Sequence, residues 1–186
     1  MMISRRMALR LPLAMAAGTL AATGWARKPA AETAPPLADV VKRITPPVAP
    51  PDTPFYSADG KPHHLSDFKG HGLVVNLWAT WCAPCVSEMP ALAALAKAMA
   101  SRNVLVLPIS VDRGGVKTVS AWYQQHGITG LKVLLDHGEA LANAFHVPGV
   151  PTTVFINTSG NVTARVEGVA DWRAAQTQAL IQKLVA

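Results

Sequence analysis

Val74-Val75-Asn76-Leu77-Trp78 is an apolar run that reads as a buried strand, and it leads through Ala79-Thr80-Trp81 into Cys82-Ala83-Pro84-Cys85. A helical pattern rich in alanine and leucine follows, from about Ala83 to Ala100. This order, strand then Cys-x-x-Cys then helix, constrains the chain more than any other feature. It places the first thiol at a helix N-terminus and the second about one turn further in. The unpaired N–H groups and the positive end of the helix dipole there favour a negative charge on the first sulfur. A free thiol has a pKa of about 8.5, and Cys-x-x-Cys thiols at helix starts fall to roughly 3.5–7.5. Cys82 is therefore expected to be a partly exposed thiolate that attacks a disulfide, and Cys85 the less accessible thiol that resolves the mixed disulfide. Pro84 suits the first turn, where a missing N–H costs little, whereas Pro90 falls inside the helix and should kink it.

The chain has two cysteines, so the pair is not half of a four-cysteine zinc site. A purely structural bridge over so short a loop would constrain the unfolded chain little. Redox use of the pair is the expectation, with no cofactor beyond the Cys82–Cys85 disulfide itself.

The string Asn76-Leu77-Trp78-Ala79-Thr80-Trp81-Cys82-Ala83-Pro84-Cys85, continued by Glu88-Met89-Pro90, resembles the TlpA/ResA branch of the thioredoxin superfamily, related to DsbE/CcmG. These are exported thiol-disulfide oxidoreductases that serve cytochrome c maturation or cytochrome oxidase assembly. The resemblance runs from about Phe55 to the C-terminus and is weaker after Arg113. It implies an α/β thioredoxin fold with an N-terminal β-hairpin extension and a central helix-strand-helix insertion. It also implies that Pro151, in Gly149-Val150-Pro151-Thr152, is cis and packs beside the cysteines. Val150 is then a substrate-contacting backbone position. Thioredoxin has a buried acid where this chain has Asn76, and an amide cannot take a proton from Cys85.

Glu88 follows Cys85 by three residues, on the same helix face, and resembles a glutamate kept near the site in that branch. It could raise the thiol pKa by repulsion, relay the proton of Cys85, or be an ordinary solvated helix residue. Trp81 is expected at the rim of the site or in packing, and Trp78 in the core. The six histidines, His63, His64, His71, His126, His137 and His146, show no metal-ligand spacing, and no metal site is expected.

Residues 1–26 read as an export signal, with Arg5, Arg6 and Arg10 ahead of an apolar stretch from Leu11 to Trp25. That stretch is shorter than the roughly 20 residues a membrane span needs, so an N-terminal anchor is the lesser reading. Ser4-Arg5-Arg6 resembles a twin-arginine signal, but Ala8 departs from the pattern and leaves the route open. A periplasmic protein follows. The net charge of +6 includes those three arginines and no acid of the segment, which leaves +3 for the rest. So modest a charge, without basic-aromatic interleaving, excludes a nucleic-acid partner.

Residues 27–54 hold eight of the fifteen prolines and read as a Pro/Ala-rich extended linker. Residues 55–186 form the thioredoxin-like domain. In it, Phe55 to Pro62 is read as a hairpin around Asp59-Gly60, Val104 to Val111 as a strand parallel to the first, and Asp171 as the N-cap of the last helix.

The expected function is a specialised periplasmic reductant, with protein disulfide substrates in an apocytochrome c or a copper-assembly factor. A membrane thiol donor of the DsbD/CcdA kind would recharge it, since the compartment is oxidising. A monomer is the simplest state. The rivals are a Cu(I)-binding chaperone using the two thiolates with Met89 nearby, a general disulfide oxidase, and a non-catalytic docking module.

Overall fold

The computed structural model describes residues 34–186; the export-signal reading and the first part of the linker lie outside them. The elements are α1 (Leu37–Val40), β1 (Lys42–Val48), β2 (Phe55–Ser57), β3 (Pro62–His63), β4 (Gly72–Trp78), α2 (Ala83–Met99), β5 (Val104–Ser110), α3 (Gly115–Gln125), β6 (Leu134–Leu135), α4 (Ala140–Ala144), β7 (Thr152–Ile156), β8 (Val162–Glu167) and α5 (Ala175–Val185). One sheet runs β1-β8-β7-β4-β5-β6-β2-β3.

β4 is buried along its whole length because it has neighbours on both sides and helices on the faces. It pairs in parallel with β5, Trp78 opposite Ser110, and antiparallel with β7, Asn76 opposite Thr153. The parallel pairing demands a crossover, and α2 supplies it. Helix α2 continues through Pro90, whose missing N–H removes one helical bond. Trp78 is fully buried and stacks on Tyr123 of α3 with ring centroids 5.7 Å apart, as expected of a core residue.

The expected N-terminal hairpin forms: β2 and β3 pair antiparallel, and Ser57 N–H donates to the Lys61 carbonyl across the turn. Gly60 takes φ +82° there, a conformation that glycine adopts without a Cβ penalty. The helix-strand-helix insertion is α3-β6-α4. Its strand joins β5 in parallel and β2 antiparallel, so the insertion is what attaches the hairpin to the sheet.

Two sequence expectations need correction. The 27–54 segment is not extended tether throughout. Leu37 is 1% exposed, and β1 pairs antiparallel with the outer edge of β8. Its composition cannot sustain a fold alone, but an open strand edge provides backbone partners that few large side chains are needed to hold. Pro46 and Pro47 fall where the β1–β8 register shifts, on an edge strand that tolerates missing donors. Asp171 does not cap the last helix either: α5 begins at Ala175, and the Asp171 carboxylate accepts from the Arg173 amide at 2.9 Å.

Candidate active site

The site forms where β4 and β5 end and α2 begins. Thr80 caps the turn out of β4 by bonding to Asp112, which lies just past β5. The Thr80 amide donates to Asp112 Oδ2 at 2.9 Å and the Thr80 hydroxyl to Oδ1 at 2.7 Å. Ser110 Oγ also donates to Oδ2, at 2.7 Å. A carboxylate that accepts three such bonds fixes the loop carrying Trp81 and Cys82. The sequence reading passed over Asp112, although its place at the carboxyl end of a parallel strand, beside the end of β4, was a usable signal.

Cys82 is the N-cap of α2, and Cys85 lies one turn in. They form a disulfide with Cα atoms 5.2 Å apart. The Cys85 amide donates to Cys82 Sγ at 3.3 Å, so an orphan helix donor points at the first sulfur. Cys82 is the more accessible of the two, at 6% against 1%, yet less open than expected. The cis-proline loop covers it, with the Val150 carbonyl oxygen 3.6 Å from Cys82 Sγ. Pro84 is exposed in the first turn.

The Val150–Pro151 bond is cis. Val150 is half-buried and Pro151 buried. Thr152 Oγ1 donates to the Gly149 carbonyl at 2.7 Å, and the Pro151 carbonyl accepts from the Gly168 amide at 2.8 Å, which ties this loop to the end of β8. Trp81, 69% exposed, stands out beside Cys82 as a rim residue and not a packing one. Asn76 is buried and donates through Nδ2 to Thr153 Oγ1 at 3.0 Å. It is a structural cross-strand link between β4 and β7.

Glu88 is 5% exposed, which overturns the reading of a solvated helix glutamate. Its Oε1 accepts from the Ala170 amide at 2.8 Å and from Trp172 Nε1 at 2.7 Å. Its Oε2 is buried with no hydrogen-bond partner among the described residues. Burial outweighs the two donors and raises the carboxyl from its ordinary 4.5 to about 7. An acid poised near neutrality on the helix that carries both cysteines can exchange a proton at working pH. Ala170 and Trp172 lie 82 and 84 residues from Glu88, and no local pattern signals them. Met89, which a copper-binding reading would use, is fully buried, and His146 is exposed.

A family model described as AhpC/TSA matches residues 46–165. The thiol-disulfide oxidoreductase ResA of Geobacillus kaustophilus (strain HTA426) is 31% identical over 118 residues, covering 63% of this chain and 67% of that protein. Among solved structures, a thioredoxin-family thiol:disulfide interchange protein from Chlorobium tepidum TLS superposes with a TM-score of 0.62 at 27% identity, over 77% of this chain and 99% of that one. The exposed lipoprotein thioredoxin of Streptococcus pneumoniae strain TIGR4 superposes with a TM-score of 0.61 at 25% identity, over 72% and 100%. Family model, relative and fold agree: the chain belongs to the AhpC/TSA family, as a ResA-type thiol-disulfide oxidoreductase of the thioredoxin superfamily.

Proposed function

We propose that this chain works outside the cytoplasm as a reductant of protein disulfides. Cys82 is the attacking thiolate, Cys85 the resolving thiol and Glu88 the proton acceptor. The observation that carries the reading is the Cys82–Cys85 pair at the start of α2, with the cis-proline loop against the first sulfur.

The Cys82 thiolate attacks one sulfur of a substrate disulfide. A Cys82–substrate disulfide forms, and the other substrate sulfur leaves as a thiolate. Cys85 gives its proton to the Glu88 carboxylate and attacks Cys82 Sγ. The internal disulfide closes and the second substrate sulfur is released, so two electrons have passed to the substrate. The Val150 backbone, held beside Cys82, receives the substrate strand, and Trp81 offers an aromatic contact beside it.

Known Cys-x-x-Cys proteins run from about −270 mV to about −120 mV. The Ala83-Pro84 pair with a nearby acid supports a place toward the reducing end. Disulfides in apocytochrome c or in a copper-assembly factor are the substrates this reading favours, with a membrane thiol donor of the DsbD/CcdA kind to return electrons and a monomeric working state. That solved relatives of this fold include an exposed lipoprotein supports the extracytoplasmic setting.

The test is a trapping experiment. Cys85→Ser, offered a disulfide-bonded peptide, accumulates a stable mixed disulfide on Cys82, and Cys82→Ser accumulates none. An equilibrium potential near −120 mV for the pair would reverse the assigned direction. Failure of Cys85→Ser to trap would overturn the assigned order of attack.

A further inference from the structure

The loop from β8 to α5, residues 168–174, is pinned at several points. The Gly168 amide donates to the Pro151 carbonyl and the Asp171 amide to the Pro35 carbonyl, both at 2.8 Å. The Asp171 carbonyl accepts from Thr177 Oγ1 at 2.8 Å. Trp172 is 3% exposed and lies against Phe155, ring centroids 6.4 Å apart. Between these anchors, the Ala170 amide and the Trp172 indole N–H converge on one oxygen of Glu88, and the other oxygen is left buried and unpartnered among the described residues.

The two carboxylate oxygens are thereby made unequal. Oε1 is engaged by two donors that a folded loop holds in place. A proton arriving at Glu88 therefore goes to Oε2, whose lone pairs are unused. An indole N–H can only donate, so it favours the ionised carboxylate and cannot adapt to serve a protonated Oε1.

We propose that Trp172 is a positioning residue for Glu88: its indole N–H, with the Ala170 amide, anchors Oε1, makes Oε2 the protonated oxygen and favours loss of that proton. Its bearing on disulfide exchange rests on the reading of Glu88 as proton acceptor. Burial opposes this contact and is the larger influence, and no other side chain donates to Oε1 among the described residues. Among the described residues, burial, the Ala170 amide and the Trp172 indole are the influences on the Glu88 proton, and no charged side chain adds to them. Asp171 of the same loop turns its carboxylate to the Arg173 amide, and Asp39 of α1 is exposed. On α2 the cysteines are bridged in the oxidised protein and do not titrate.

The experiment follows the Glu88 carboxyl carbon and the Trp172 indole N–H by NMR in the oxidised full chain, across about pH 5 to pH 9. In the native protein both resonances move with one midpoint; an indole resonance that stays flat while Glu88 titrates overturns the proposal without any variant. Trp172→Phe keeps an aromatic ring and removes the donor, and the Glu88 midpoint rises by about one pH unit. An unchanged midpoint overturns the proposal. The pH profile of thiol exchange by the reduced protein shifts upward with Trp172→Phe in the native background and not in a Glu88→Gln background; equal shifts in both overturn the link through Glu88. If Glu88→Gln leaves that profile unchanged while Trp172→Phe still moves the Glu88 midpoint, the positioning role stands and the proton-acceptor reading falls.

Discussion

Burying a carboxyl against its preference for water should leave a signature in stability as well as in chemistry, and Glu88→Gln isolates it. In the unfolded chain Glu88 ionises at its ordinary 4.5, and in the fold at about 7. Below the lower value both states are protonated and the group contributes no pH dependence. Between the two, the folded state holds a proton that the unfolded state has lost, so stability falls as pH rises. Above about 7 both are ionised and the full cost is present. At 1.36 kcal/mol per pH unit the interval corresponds to about 3 kcal/mol. Glutamine keeps a carbonyl to accept from Ala170 and Trp172 and removes the ionisation. Urea denaturation of the oxidised protein at intervals between about pH 4 and pH 8, for the native chain and Glu88→Gln, gives the two curves whose difference is the quantity sought. The native chain should lose about 3 kcal/mol relative to the variant over that range, most of it between pH 5 and pH 7. Parallel curves would mean that the carboxyl ionises as in water and that its burial has no consequence for its proton.

Leu37→Ala should destabilise the domain by about 2–5 kcal/mol in the same assay, because its side chain is almost fully buried among core residues; a loss below about 0.5 kcal/mol would return residues 37–48 to the status of a linker. Asp112→Asn replaces one acceptor oxygen with a donor beside the Thr80 and Ser110 groups that now point at it. It should cost about 1–3 kcal/mol and slow disulfide exchange by loosening the approach to Cys82; an unchanged exchange rate in a stable variant would separate this carboxylate from the site.

The local code was legible where chemistry and geometry sit within a few residues of each other. Val74 to Cys85 reads directly as strand, turn and helix start, since burial, a β-to-α change of period and an N-terminal thiol all act over one or two turns. Asp59-Gly60 marks its turn for the same reason, φ +82° being a property of the glycine itself. Pro151 is different. The sequence offers only a proline before a strand, and its cis bond was expected through family resemblance and not from composition.

Other features depend on what the chain meets on folding. Residues 42–48 have too little apolar surface to order alone, and it took the open edge of β8 to make them a strand. Asp171 has the chemistry of a cap, but tertiary bonds to Pro35 and Thr177 hold the loop open and delay α5 to Ala175.

By itself, then, the sequence determined the strand, the pair of sulfurs and the helix dipole that acts on the first of them, because those forces are short-ranged and carried by adjacent residues. Only the tertiary structure decided the state of Glu88. Water removal by the packed core and two donors from a loop more than eighty residues away set its proton affinity, and neither is encoded anywhere near position 88.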